Sequence, residues 1–287
     1  LIGWRRAMRW FKIARSPRLL TYLALESARF RPHQGRQVVL TSSSLQADAL
    51  LAYPRAAGSM SVVTPAVSLP QPGWNRAEAR RDLRLPPTGR LLLFVANDYD
   101  LKGLTTLRAA LVSLAPDVQL AVVGHTRQQQ RFRDLASALG VGDRVHFLGA
   151  LEAVAQAYRA ADVLVHPTLD DTFAMVVLEG LAHGLPVVVS GPAQCGISTL
   201  LKDSRDALLL TDPQDSKELV GTLQRLLADP ALQHRLAVNG RAFAEGHTWE
   251  RAAREYERLY LASAGRQPGQ GSLHRRGAED AEVRRGR

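Results

Sequence analysis

From residue 90 onward the chain alternates short apolar runs with longer segments in which apolar side chains recur at helical spacing. Apolar runs of four to six residues read as strands buried on both faces, and the segments between them as amphipathic helices. Strands are predicted at 91–95, 118–123, 144–147, 163–165, 186–189 and 207–210, with helices at 103–114, 127–139, 152–161, 174–183 and 197–202. Strand and helix in strict alternation require crossovers, so the fold class is α/β with a doubly wound parallel sheet. Three more helices follow at 215–228, 230–245 and 248–263, and the residues after them lack apolar periodicity.

Ahead of residue 90 the pattern is less regular. Trp4, Met8 and Phe11 fall on one side of a helical wheel, with Arg5, Arg6, Arg9 and Lys12 beside them, and Leu19, Leu23 and Phe30 carry a stripe past Pro17. A strand at 37–41, a helix at 44–53 and a strand at 60–64 lead into a stretch rich in Pro, Gly and Ala. The expected organisation is a basic amphipathic segment at 1–36, the end of an amino-terminal domain with a linker at 37–89, a binding domain at 90–263, and a disordered basic tail at 264–287.

Composition changes this picture in two places. The net charge of +10 suggests nucleic acid until its distribution is counted. Residues 1–36 carry +8 and residues 266–287 carry +3, which leaves the middle at −1. With a neutral core and no reading motif in the basic ends, a nucleic-acid partner is not expected. The single cysteine, Cys195, excludes an intrachain disulfide, and no run reaches the roughly 18 apolar residues that span a bilayer. A cytoplasmic location is therefore expected, at the inner face of the membrane if the basic helix lies on anionic lipid.

The candidate chemistry lies at strand ends. Asp171 precedes a helix and Glu179 lies about one and a half turns inside it, so both carboxylates can face one ligand at the carboxyl edge of the sheet. Such a pair suits sugar hydroxyls. Lys102 stands just before the helix at 103–114, where free amides and the helix dipole favour an anion, and a diphosphate is the anion expected. Asp98-Tyr99-Asp100 matches an Asp-x-Asp metal pair but reads as a polar turn, because Lys102 already offers a counter-charge and no histidines show ligand spacing. No metal is expected. His166 reads either as a general base or as a hydrogen-bonded strand-end residue, and Cys195 as packing, since it has no neighbouring base. The following Gly196 permits close backbone approach to a ligand.

Leu120-Ala-Val-Val-Gly124, Val145-His-Phe-Leu-Gly149, Tyr158-Arg-Ala-Ala-Asp-Val-Leu-Val-His-Pro167 and Leu178-Glu-Gly-Leu-Ala-His-Gly-Leu-Pro-Val187 resemble the donor domain of GT-B fold, family 4 retaining glycosyltransferases. The resemblance covers about 37–263. Within that family the loop from Asn97 to Gly103 and Cys195-Gly196 look most like lipopolysaccharide core glucosyltransferases acting on heptose. The resemblance implies metal-independent transfer of a hexose, glucose from UDP-glucose, to a glycan or lipid-linked acceptor. It gives Lys102 the diphosphate, Asp171 and the amides of Phe173, Ala174 and Met175 the transferred sugar, and Glu179 the ribose. Asp171 stands where the family has Glu, Ala174 where it often has Gly, and Asn97 where many members have Arg. Residues 1–89 are expected to be only a remnant of the acceptor domain, so the chain is expected to be a fragment. A non-catalytic nucleotide-sugar-binding or membrane-associated scaffold is the alternative expectation.

Overall fold

A computed structural model of the chain describes residues 16–33, 35–70, 75–124 and 127–265. The amphipathic segment around Trp4, Met8 and Phe11 and the basic tail lie outside them. The first described elements are α1 (Pro17–Arg29), β1 (Val38–Leu40), α2 (Ser43–Ala52), β2 (Met60–Val62) and α3 (Arg76–Asp82). β1 and β2 pair in parallel as a small sheet of their own, over Val38, Leu40, Ala49, Ala56 and Met60.

The region that the sequence reads as linker thus contains a helix, α3. Asn75 caps it, accepting from the Ala77 amide at 2.9 Å. It was hidden because it is short and its buried face is Ala79 and Arg80, a pattern without apolar periodicity. Arg80 is buried, its guanidinium bonded to the carbonyls of Ala160 and Gly89 and to Asp162 Oδ2 at 2.7 Å. Asp162 Oδ2 also accepts from the Leu91 amide, so this ion pair fixes where the next strand begins.

The remaining elements alternate as expected: β3 (Arg90–Val95), α4 (Leu104–Val112), β4 (Val118–Val123), α5 (Gln129–Ala138), β5 (Val145–Gly149), α6 (Ala155–Ala160), β6 (Val163–His166), α7 (Met175–Ala182), β7 (Val187–Ser190) and β8 (Leu208–Leu210). The helix expected at 197–202 is instead a 3-10 turn, Gly196–Thr199. Three helices close the fold: α8 (Ser216–Ala228), α9 (Pro230–Glu245) and α10 (Trp249–Ser263).

All pairings in the six-stranded sheet are parallel, in the order β5-β4-β3-β6-β7-β8. Successive side chains of β3 feed opposite layers: Leu91 and Leu93 pack with Leu164, Val187 and Val189, and Leu92 and Phe94 with Val163, Val165 and Val188. Two apolar layers on one sheet explain why its strands read as unbroken apolar runs. The strand order reverses between β3 and β6, which opens a crevice at their carboxyl ends. α10 leaves this sheet, and Ala252 and Leu259 pack against Val63, Ala66 and Val39 of the small sheet's segment.

Arg80→Ala leaves Asp162 without its buried partner and is expected to destabilise the protein by about 3 kcal/mol, read from urea unfolding. A midpoint equal to that of the parent would remove the ion pair from its place in the fold.

Candidate functional site

Two loops meet at the crevice. The loop after β3 turns into α4 through Gly103, whose φ of +83° is in the left-handed region and whose missing Cβ leaves room for the Pro167 carbonyl. The Leu169 amide donates to the Leu101 carbonyl at 2.9 Å, joining this loop to the one after β6. Lys102 is thereby held over Asp171. Its Nζ donates to Asp171 Oδ2 at 2.8 Å and to the Asp170 carbonyl at 2.7 Å.

Asp171 is bonded on both oxygens. Oδ2 faces His166 Nε2 at 3.2 Å as well as Lys102, and Oδ1 accepts from the amides of Phe173 at 3.2 Å and Ala174 at 2.7 Å. Two of the three amides that the resemblance implies for the sugar are therefore engaged by Asp171 itself. Burial alone would raise this carboxyl's pKa, but the bonds from His166 and Lys102 and their charges hold it well below the usual carboxylate range. His166 is almost fully buried, and burial lowers its pKa against the opposing pull of Asp171. The neutral ring then donates from Nε2, and its Nδ1 has no partner among the described groups.

Ala174 caps α7 with φ +66° and ψ +73°, a left-handed conformation that a side chain makes costly. Phe173 and Ala174 are buried, whereas Met175 lines the crevice. Asn97, Lys102, Gly124, His166 and Asp171 line it too, around a volume of about 580 Å³. Glu179 lies one turn beyond Met175 on α7, and its Oε2 accepts from the Tyr158 hydroxyl at 2.6 Å. Burial raises its pKa and the Tyr158 bond opposes that rise.

Gly196 adjoins Asp171 through its backbone. Its amide donates to the Asp171 carbonyl at 2.9 Å, and the place of its missing Cβ is taken by the Thr172 carbonyl. The close approach that this glycine permits is to the chain itself. Cys195 is buried, its thiol pushed up to about 12 by burial and by the Asp171 charge, so it keeps its proton. In the Asp98-Tyr99-Asp100 turn, Asp98 Oδ1 accepts from the Leu101 amide, Asp100 pairs with Arg131, and Tyr99 is fully buried. Among the described residues no three His, Cys, Asp or Glu converge as a metal ion needs.

The structure therefore brings Lys102, Asp171, Met175 and Asn97 to one crevice with Glu179 a turn behind, and buries Phe173, Ala174 and Gly196 beneath it. Sequence reasoning assigned Tyr158 no role and left His166 open. The available signal was a phenol shortly ahead of strand 163–166 and a histidine at the strand's end, the one polar residue in it.

The sequence profile of the family described as "Glycosyl transferases group 1" matches residues 75–243. A D-inositol 3-phosphate glycosyltransferase from Stackebrandtia nassauensis is 32% identical over 232 residues, covering 75% of this chain and 52% of that protein. The lipopolysaccharide glucosyltransferase WaaG from Escherichia coli (strain K12) is 27% identical over 233 residues, covering 78% of this chain and 62% of that protein. Among solved structures, sucrose-phosphate synthase from Thermosynechococcus elongatus matches with a TM-score of 0.73 and 30% identity, over 85% of this chain and 62% of that one. The chain thus spans between about half and two thirds of the length of these relatives.

Two outcomes are expected. Ala174→Gly relieves the left-handed alanine and raises stability by about 0.5 to 1 kcal/mol, after allowance for glycine's larger unfolded-state entropy, and an unchanged or lower urea midpoint contradicts this. The folded pKa of Asp171 lies below its ordinary 3.8, so the unfolded state binds more protons in acid. Its contribution is complete above 3.8 and is lost as pH falls from there toward the folded value. Asp171→Asn should flatten that acid limb in pH-dependent unfolding, and an identical limb would show that the carboxylate is not so held.

Proposed function

The chain belongs to the group 1 glycosyl transferases, and we propose that its crevice binds the nucleotide diphosphate sugar of a retaining hexosyl transfer, with UDP-glucose as the donor. The acceptor proposed is a glycan or lipid-linked glycan of the kind that WaaG, as a lipopolysaccharide glucosyltransferase, acts on. The observation that carries this reading is the meeting of Lys102 and Asp171 at the sheet's switch point, with Glu179 a turn further along α7.

Each group has a task in such a transfer. The departing diphosphate develops charge as the glycosidic bond breaks, and a fixed ammonium beside it stabilises that charge more in the transition state than in the ground state. Lys102 is suited to this, since two of its three donor positions already fix it in place. Glu179, with one oxygen held by Tyr158, offers the other to the ribose diol. The glucose lies against the Asp171 corner and the amino-terminal end of α7. No metal ion is needed in this reading, because Lys102 supplies the counter-charge.

One observation favours a second reading, a chain that binds the nucleotide sugar without transferring it. Both Asp171 oxygens are committed within the protein, where the family's longer Glu would reach one methylene further. UDP binding with neither hydrolysis nor transfer of UDP-glucose would favour this reading.

The proposed location is the cytoplasmic face of the membrane, with the basic segment 1–16 on anionic lipid. Among the described residues no helix is long and apolar enough to cross a bilayer. Anionic liposomes should pellet the chain and release it when residues 1–16 are removed, and equal pelleting of both forms would end the membrane proposal. Calorimetry should detect UDP binding, weakened by about 1.5 to 3 kcal/mol in Lys102→Ala and in Glu179→Ala. Unchanged affinity in both variants would overturn the site.

A further inference from the structure

Glu179 is placed by a residue on another helix. α6 and α7 flank β6, and the Tyr158 hydroxyl on α6 reaches Glu179 Oε2 on α7 at 2.6 Å. The phenol ring is 2% exposed and stacks on His183, with ring centroids 5.1 Å apart and planes within 21°. Such a ring cannot turn away, so its hydroxyl stays at one point beside the carboxylate. No hydrogen bond to Glu179 Oε1 is formed among the described residues.

We propose that Tyr158 is a positioning residue for nucleotide binding: its hydroxyl fixes the Glu179 carboxylate by one oxygen and leaves the other to accept from a vicinal diol. This rests on the reading of Glu179 as a donor ligand. A glutamate near a helix surface has three rotatable bonds, and a ligand that must order it loses part of the hydrogen-bond energy in doing so. Holding one oxygen in advance removes that cost.

The proton stays on the phenol. Burial, and then the charge and hydrogen bond of Glu179, raise the Tyr158 pKa well above its ordinary value, so Tyr158 acts only as a donor. Its bond in turn opposes the rise that burial imposes on Glu179. The other titratable neighbour is His183, whose pKa burial and the charges of Arg159 and Arg241 lower to about 4. His183 is therefore neutral over the working range, and the Glu179 charge is left to burial and the opposing Tyr158 bond.

The test is UDP binding by calorimetry from mildly acidic to mildly alkaline buffer, in the parent, Tyr158→Phe, Glu179→Ala and the double variant. Tyr158→Phe keeps the ring and its stack on His183. It should weaken UDP binding about tenfold, as expected for loss of a hydrogen bond to a charged group, and move the acid limb of binding to higher pH. On the Glu179→Ala background it should change nothing further. A fluorinated tyrosine at 158, a stronger donor of nearly the same shape, should move the limb to lower pH, and serves as the test should the Phe variant not fold. If Glu179→Ala binds UDP as the parent does, the reading of Glu179 has failed. If Glu179→Ala weakens binding while the Tyr158 variants keep the parent's affinity and acid limb, or if the Tyr158→Phe loss adds in full to that of Glu179→Ala, the positioning role alone is overturned.

Discussion

The crevice depends on one carboxylate. Asp171 draws a lysine from the loop after β3, a histidine from the end of β6 and two amides from the start of α7 onto a single pair of oxygens, while its own backbone is bonded to Gln194 and Gly196 after β7. Three loops from three adjacent strands are tied at that point. A carboxylate so buried would be unstable alone, and it is the converging donors that keep it ionised. The same bonds that organise the site also occupy it. Any anion that engages Lys102 must share its ammonium with Asp171 or displace that contact, so ligand affinity here is a difference between two charge-assisted interactions rather than the full strength of one.

Apolar content and its spacing made the large sheet legible, because a strand covered on both faces leaves little else to be. The six strands and their intervening helices follow the runs within a few residues. What escaped was structure held by polar groups. α3 is anchored by the Arg80 guanidinium, and a charged residue at a buried position looks like surface in a linear pattern. The site was legible to the extent that it sits at strand ends: the Asp171 and Glu179 spacing and Lys102 located it. Where each oxygen points was not legible, since that depends on Pro167 packing into the space above Gly103 and on α6 lying beside α7. Gly196 shows the same limit, because its sequence context suggests room for a ligand and its surroundings show the Thr172 carbonyl in that room.

The short side chain at 171 decides what its carboxylate reaches. It folds back onto the amides of Phe173 and Ala174, the two residues just ahead of α7, in a local turn. Glu179, by contrast, has one oxygen on the Tyr158 hydroxyl and no hydrogen bond to the other among the described residues.

The return of α10 to the small sheet has a mechanical meaning. The chain passes between the two sheets twice, once on the way from β2 to β3 and once just before α10, and the passes are bonded to each other where the Val67 amide donates to the His247 carbonyl at 2.9 Å. Arg251 fastens them again through the carbonyls of Thr64 and Pro65. A single tether would let the two sheets swing in any direction. A doubled and cross-linked one resists splaying, and Ser43 at the start of α2 adds a third hold by donating to Thr199 Oγ1, in the turn that begins at Gly196, at 3.3 Å.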